Sequence, residues 1–478
     1  MMMSWSWCKT TGRHEAEGTK KGSSSAGRVA AWLLLSPLLV LVVLKTDFLP
    51  TVSRTDTGLG NAKWQQQHYP HGPEAVKADM GGSASRLTCN LSNRHSDTCT
   101  MEGDVRIHGR SATVYVVAAA SNHRRPENST VTVRPYTRKW EQETMARIRE
   151  VTVRYTPPPA PFGFGVIPPR CTAAHDGAPA VVFSTGGCGT NFFHAMSDLV
   201  VPLYITAREY GGRVHLLVTD YRPEWVAKFR PVLDALSAHP VVDLDSDAAV
   251  RCFPAARVGL ESHNGMLAID PTLSRHGYTM VGFRDFLRSV FSLPRPWAWS
   301  SSRPVISRPP RLVMVLRRHS RALTNEAETV AAMEDLGFDV VPARPEDVAD
   351  MARFARVVNS CDVMVGVHGA GLTNMVFLPH NATVVQIVPW GDMKWACWYD
   401  FGEPVQGMGL RYVEYEVTAE ETTLKDKYAR DHPVFTDPQS IHRQGKAWAT
   451  FLDGQNVTLD IDRFKATMQQ VFQSITTG

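Results

Sequence analysis

The chain has 478 residues, 43% of them hydrophobic and 21% charged, a globular composition with length enough for two cores. Its formal charge of +4 is uneven: residues 1–28 hold Lys9, Arg13, Lys20, Lys21 and Arg28 against Glu15 and Glu17, so +4 less +3 leaves +1 for the rest. That excludes a nucleic-acid partner, because the folded part would itself have to carry a basic stripe.

The basic tail (1–28) runs into V-A-A-W-L-L-L-S-P-L-L-V-L-V-V-L, residues 29–44, which contains no charge. A helical membrane span needs about 17–25 residues, so this segment is at the short end and suits the thinner early secretory membranes. A cleaved signal peptide is the alternative. The long basic tail and the lack of an A-x-A-like site after the run favour a single-pass signal anchor with a cytosolic N-terminus. Residues 45–85 are polar, without sustained periodicity, and read as a stem.

A lumenal location makes the sequons at Asn90, Asn128, Asn381 and Asn456 glycosylation acceptors. It also makes disulfides available to Cys89, Cys99, Cys171, Cys188, Cys252, Cys361 and Cys397, which allow at most three bridges and leave one thiol over. No C-x-x-C pair occurs, so a structural zinc site is not expected.

Short β-rich runs alternate with polar turns from Cys99 to Val153, and the proline-rich T-P-P-P-A-P-F-G-F-G-V-I-P-P-R then connects onward. Strand A-V-V-F-S-T (180–185) leads through G-G-C-G-T into a helix from about Asn191. Strand V-H-L-L-V-T-D (214–220) precedes helix W-V-A-K-F-R-P-V-L-D-A-L. This βαβ alternation predicts a parallel sheet covered on both faces.

The Pro- and Ser-dense stretch 294–310 marks a domain boundary, giving an N-terminal unit at 86–300 and a C-terminal unit at 301–478. The second unit restarts the pattern: strand R-L-V-M-V-L-R-R, helix T-N-E-A-E-T-V-A-A-M-E-D-L-G, strand F-D-V-V-P-A, helix P-E-D-V-A-D-M-A-R-F-A-R-V-V, strand D-V-M-V-G-V-H-G, helix A-G-L-T-N-M-V-F-L and strand A-T-V-V-Q-I-V. The fold class is therefore α/β, with two Rossmann-like domains and a cleft between them.

Ligands of such sheets bind at the carboxyl ends of strands, where His368, Gly369 and Gly371 fall. The glycines serve either a tight turn or an anion cradle at a helix N-terminus. Arg317, Arg318 and Arg321 crowd another strand end; they read either as a diphosphate site or as a salt-bridged surface. His194 and Asp198, four apart on a helix, share a face about 6 Å apart. The carboxylate there either orients a general base or merely satisfies a buried histidine.

Three blocks, G-G-C-G-T-N-F-F-H-A-M-S-D-L-V-V-P-L-Y-I-T, R-L-V-M-V-L-R-R-H-S-R-A-L-T-N and V-G-V-H-G-A-G-L-T-N-M-V-F-L-P, resemble glycosyltransferase family 61. A fourth, R-D-H-P-V-F-T-D-P-Q-S-I-H-R-Q-G at 430–445, is similar to the plant branch that decorates xylan. The resemblance covers roughly residues 86 to 475. It implies a Golgi type II membrane enzyme of two Rossmann-like domains (GT-B type), transferring a sugar from a UDP-sugar donor with inversion. The acceptor unit is then the first, and the nucleotide-sugar unit the second, closed by C-terminal helices.

The implied reaction is transfer of arabinofuranose or xylose to xylan in cell-wall biosynthesis. The alternatives are a β-1,2-xylosyltransferase acting on N-glycan cores and a catalytically silent partner in a Golgi glycosyltransferase complex. Asn191, His194 and Asp198 match the first block, although Ala195 stands where plant relatives often carry an acid. Arg317, Arg318, Arg321 and Asn325 match the second block, with Arg318 where lysine is common. His368, Gly369, Gly371 and Asn374 match the third. The resemblance thus assigns catalysis to His194 and Asp198, and donor binding to Arg317, Arg318, Arg321, Asn325, His368, Gly369, Gly371 and Asn374.

Two rival chemistries are weighed. Asp243 and Asp245 follow an apolar strand as in a metal-binding D-x-D, but the arginine cluster can neutralise phosphate itself, so no cofactor and no essential divalent metal are expected. An esterase is excluded by the missing G-x-S-x-G. The tryptophan-rich W-G-D-M-K-W-A-C-W-Y-D (390–400) either stacks on a pentose polymer or fills the cleft floor, and the motifs do not settle which sugar is transferred.

Overall fold

The computed structural model describes residues 85–118, 130–156, 167–175, 177–263, 266–299 and 308–476. The expected tail, anchor and nearly all of the stem, together with the Asn128 sequon, lie outside the described residues. Among the described residues no helix is long and apolar enough to cross a membrane.

The first half is built on strands β1 (Arg86–Asn90), β2 (Thr98–His108), β3 (Thr113–Val117), β4 (Thr130–Val133), β5 (Val151–Thr156), β6 (Ala173–Ala174), β7 (Ala180–Ser184), β8 (His215–Thr219), β9 (Val242–Asp243) and β10 (Val250–Val258). They form one sheet in the order β4-β5-β3-β2-β10-β7-β8-β9, with β1 on β2 and β6 on β10. The expected parallel arrangement holds for β10, β7, β8 and β9, whereas β2 runs antiparallel to β1, β3 and β10. The difference has a local cause. The turn Gly109–Ala112 is too short for a crossover helix, so β2 and β3 pair as a hairpin.

The second half is a five-stranded, all-parallel sheet: β11 (Arg311–Val315), β12 (Asp339–Ala343), β13 (Val363–Val367), β14 (Thr383–Val388) and β15 (Arg411–Glu416), in the order β12-β11-β13-β14-β15. Strands β13 and β14 are buried at every position, as a sheet covered on both faces requires. Numbered within this half the order is 2-1-3-4-5, and the connections reverse direction between β11 and β13. The loops after those two strands carry Arg317–Arg321 and His368–Gly371.

Helices start where a side chain can take a free backbone N–H. Asn191 accepts from Phe193, Thr279 from Gly282 and Asp350 from Arg353. Three helices depart from the simple expectation. The one after Asn191 widens to a π-helix over Ala195–Val200, the stretch after Gly369 is 3₁₀ over Ala370–Phe377, and the one expected over 345–358 breaks into Pro345–Val348 and Met351–Asn359. The π-helical widening over Ala195–Val200 is of a kind that recurs at functional sites.

One apolar cluster contains residues of both halves, from Tyr136 and Phe183 to Phe354, Leu372, Phe401 and Leu410. Burying each such side chain is worth about 1.5–3 kcal/mol, so the halves are joined by core as well as by chain. The segment entering the expected boundary is docked too. Arg295 and Asn359 exchange hydrogen bonds of 2.9 Å, and Trp299 N donates to Asp362 at 2.7 Å. Disulfides join Cys89–Cys99 and Cys171–Cys252, while Cys361 and Cys397 are buried free thiols.

Candidate active site

The glycine loop after β7 brings the chain to Asn191, and the helix it caps buries His194 and Asp198 to 1% exposure each. Their separation, His194 Nδ1 to Asp198 Oδ2, is 3.3 Å. Three residues from a distant segment complete this group. Tyr136 donates to Asp198 Oδ2 at 3.0 Å, Thr137 donates to the Asp198 carbonyl at 2.6 Å, and Arg138 places Nη1 3.1 Å from His194 Nδ1 and 3.4 Å from Asp198 Oδ1. Ser197 Oγ donates to Asp198 Oδ1 at 2.8 Å. Arg138 is itself buried and paired with buried Glu141. Gly187, at φ +57°, makes the approach of Tyr136 possible, since a Cβ there would come within 2.6 Å of its ring.

The electrostatics follow from these contacts. Burial pushes the Asp198 carboxyl up, but Arg138 and His194 more than offset it and hold it below its ordinary value. Asp198 is therefore a carboxylate. His194 Nδ1 faces both a donor and an acceptor. With its proton on Nδ1 the ring donates to Asp198 and Nε2 keeps a free lone pair; with Nδ1 accepting from Arg138 the proton sits on Nε2. Nε2 is buried and has no hydrogen-bond partner among the described residues.

The second group lies at the reversal point of the parallel sheet. Arg317 Nε donates to the Ser320 carbonyl at 2.7 Å, and Arg321 Nη1 donates to the His368 carbonyl at 3.1 Å. Among the described residues neither arginine forms an ion pair. Burial lowers both pKa values, and repulsion from Arg317 helps bring Arg321 down to about 9. Arg321 is buried and Arg317 half-buried; Asp453 pulls both pKa values up by less than burial lowers them, and two neighbouring guanidinium groups favour an anion beside them. Gly369, at φ +147°, is required by them, because a Cβ there would overlap the Arg317 guanidinium. Gly371 similarly lies against Val315. Asn374 Nδ2 donates to the Gly371 carbonyl at 2.9 Å and fixes the loop.

Two residues of the same sequence block are not brought into this group. Arg318 is 50% exposed and pairs with Glu346 at 3.3 Å. The Asn325 amide donates to the Leu459 carbonyl at 2.9 Å and accepts from Leu459 N at 3.0 Å, tying its loop to the C-terminal segment.

His368 is fully buried. Tyr412 donates to Gln386 Oε1 at 2.9 Å, which leaves the Gln386 amide N–H to donate to His368 Nδ1 at 2.8 Å. Its Nε2 lies 3.7 Å from Asp400 Oδ2. Burial, then Arg321 and Arg317, push the His368 pKa well below the usual value, and burial pushes Asp400 well above the carboxylate range against a smaller pull from Arg138. Burial thus favours the neutral form of both groups. The two groups meet at Phe401, whose ring centroid is 5.5 Å from that of Phe193 and 5.6 Å from that of His368.

Arg138, Tyr136, Gln386 and Asp400 were not legible as site residues. Arg138 sits in T-R-K-W, which has no periodic or motif signal, and Asp400 ends the aromatic run 390–400. Asp243 and Asp245 are engaged elsewhere. Asp245 accepts from Thr219 at 2.7 Å and from Asp220 N at 2.6 Å and pairs with Arg149, while Asp243 caps its own turn through Ser246 at 2.8 Å. Cys188, His194 and Asp198 place side-chain atoms within 4.8 Å of one another, but Cys188 is disulfide-bonded and so offers no thiolate, and the Arg138 guanidinium beside His194 disfavours a second cation. Asn90 and Asn381 are exposed, whereas Asn456 is half-buried and accepts from Ala322 N at 3.1 Å.

A sheet reversal that carries Arg317 and Arg321, together with a buried histidine–carboxylate pair, defines a glycosyltransferase when taken with the matches that follow. Residues 192–385, which contain His194, Asp198, Arg317, Arg321 and His368, match the family described as Glycosyltransferase 61. The chain is 40% identical over 444 residues to an alpha-1,3-arabinosyltransferase of Oryza sativa subsp. japonica, covering 89% of this chain and 74% of that protein. It is 40% identical over 398 residues to a beta-1,2-xylosyltransferase of the same organism, covering 80% and 83%. Identity is 34% over 392 residues to a xylan glycosyltransferase of Arabidopsis thaliana, covering 79% and 78%. The chain belongs to glycosyltransferase family 61.

Proposed function

We propose that this protein transfers a pentose, arabinofuranose or xylose, from a UDP-sugar to xylan, with inversion at the sugar carbon. The observation that supports it most is the pair Arg317 and Arg321 beside Gly369, neither of which forms an ion pair among the described residues. A diphosphate supplies the missing charge, and each charge-assisted hydrogen bond to it is worth about 1.5–3 kcal/mol. The relatives named for arabinosyl, xylosyl and xylan transfer give the sugar and acceptor classes.

In this reading the two halves act as the Rossmann-like pair of a GT-B enzyme, 86–300 on the acceptor side and 301–478 on the donor side. Arg317, Arg321 and the His368–Asn374 loop hold the diphosphate. The acceptor hydroxyl oxygen attacks the anomeric carbon in line, its proton passes to His194 Nε2, and the bond to the diphosphate oxygen breaks. The electron pair leaves with UDP, where the arginines stabilise it. Asp198 keeps the His194 proton on Nδ1, so that Nε2 remains a base. No divalent metal is needed, because guanidinium charge does the neutralising. The chain works in the Golgi lumen, held by the 29–44 anchor.

The test is a donor screen with full-length, detergent-solubilised protein and a labelled xylo-oligosaccharide. A mass gain of one pentose from one UDP-pentose is expected. Transfer only to an N-glycan core, or to no acceptor in the presence of normal UDP binding, would overturn the xylan assignment.

A further inference from the structure

Beside the helix that carries His194 lies a cavity of about 530 Å³ that the proposed reaction does not use. It opens at the carboxyl ends of the adjacent parallel strands β7 and β8, between that helix and the helix Pro223–Leu236. Phe192 and Ala195, three apart and so on one helical face, line it, while His194 projects elsewhere and is buried against Arg138.

The walls are aromatic. Phe192 stacks on Phe229 with ring centroids 6.3 Å apart and planes at 10°, and Trp225 packs against Phe229 at 4.8 Å. Flat apolar faces of this kind suit the C–H faces of sugar rings. Trp225 Nε1 is buried and has no hydrogen-bond partner among the described residues, so a donor is already desolvated in this wall.

The cavity lining carries two cations, Arg222 and Lys228, against one carboxylate, Glu224. Among the described residues, neither Arg222 nor Lys228 forms an ion pair. Lys228 instead places Nζ 4.7 Å over the Phe192 ring, although Glu224 stands one turn before it, and burial lowers its pKa. Arg222 is fixed at the mouth by its backbone N–H, which donates to Thr185 at 3.1 Å, and it begins the helix whose free N–H groups favour negative charge. Ala195 matters for the balance, because a carboxylate at that position would project into the cavity and neutralise these cations.

We propose that this cavity is an acceptor subsite for a uronic-acid residue, its ring on the aromatic wall and its carboxylate on Arg222 and Lys228. The inference rests on the acceptor being a glycan, as proposed above. The uronic acid belongs to a position on the acceptor other than the one that reacts, since the His194 helix stands between the cavity and His194 Nε2.

The experiment is calorimetric binding to the full-length, detergent-solubilised protein, which needs no turnover. The probes are a neutral xylo-oligosaccharide, the same oligosaccharide bearing one glucuronosyl branch, and UDP. The acidic oligosaccharide is expected to bind more tightly than the neutral one. Arg222→Gln combined with Lys228→Gln should remove the difference, a loss of about 10- to 100-fold for the acidic probe alone. Ala195→Glu should remove it too, without deleting either cation. Arg317→Ala should weaken UDP binding by about 10- to 100-fold and leave the preference intact, which separates this subsite from the donor site. Equal binding of the two oligosaccharides to wild type, or a preference that survives both variants, overturns the proposal. Loss of UDP binding in the double variant also overturns it, by making the cavity a nucleotide site.

Discussion

Arg138 sets a guanidinium nitrogen 3.1 Å from Nδ1 of His194, a residue 56 positions further along the chain. The contact makes His194 chemistry depend on a segment outside every motif of the sequence. Arg138 can accept no proton and is bound to Glu141 and Asp198, so it competes with the ring for Asp198 rather than acting on substrate. Replacing His194 by Ala should lower transfer by about 10²- to 10⁴-fold while UDP affinity stays unchanged. Asp198→Asn should cost less. Single-turnover rates measured beside UDP titrations separate the two effects, and near-normal transfer in a folded His194→Ala protein would exclude it as the base.

The arginine pair predicts opposite effects on stability and on binding. Arg321→Ala removes a buried charge that Arg317 repels and that forms no ion pair among the described residues, so the melting temperature without nucleotide should not fall. UDP binding should weaken by about 10- to 100-fold, and the thermal shift that UDP causes should largely vanish. A differential scanning fluorimetry series with and without UDP reads both. A large loss of stability with UDP affinity retained would show that the cation is structural.

Gly369 tests the same site through the backbone. Its φ of +147° is strained for any side chain, and a Cβ would overlap the Arg317 guanidinium. Gly369→Ala should destabilise by about 1–3 kcal/mol and should displace Arg317, weakening UDP binding more than Asn325→Ala does. Denaturant unfolding and UDP titration of the two variants make the comparison.

Acid should destabilise the protein through its buried histidines. Burial and its neighbours His239 and His175 bring the His215 pKa down to about 4, and burial with Arg321 and Arg317 lowers that of His368. Both pKa values are depressed on folding. Their contribution to stability is therefore fully present above the unfolded value of about 6.5, and is lost as pH falls below it towards the folded values. Asp400 has the opposite sign: its raised pKa favours the folded state at low pH, and that benefit is lost as pH rises through the folded value. Asp400→Asn should thus raise the melting temperature at pH 7 and change it little at pH 4. His215→Phe should flatten the acid limb of the melting profile between pH 6.5 and about 4, and an unchanged limb would assign it to other groups.

Chelation addresses the rival metal chemistry. Asp245 is held by Thr219, Asp220 and Arg149, and Asp243 by its own turn. Transfer should persist in excess EDTA, and Asp243→Asn should leave it within about twofold (of the order of 0.4 kcal/mol). Complete loss on chelation, restored by Mn²⁺, would return these two carboxylates to the donor site.

Local physics was legible in the sequence. Continuous apolar runs gave the buried parallel strands β13 and β14, and glycines at strand ends gave the loop around His368. The i, i+4 spacing of His194 and Asp198 gave a shared helical face, observed as a 3.3 Å contact. These features depend on residues within a few positions of one another, which spacing reports directly. Only the tertiary structure decided what surrounds them. It turned Arg318 outward to Glu346 and spent Asn325 on Leu459, though both share a block with Arg317. It also brought Tyr136 and Arg138 to Asp198, and Asp400 to His368. Strand order and loop direction set such meetings, and a side chain's charge state depends on which partners replace its water. Neither is encoded in the neighbours of a residue along the chain.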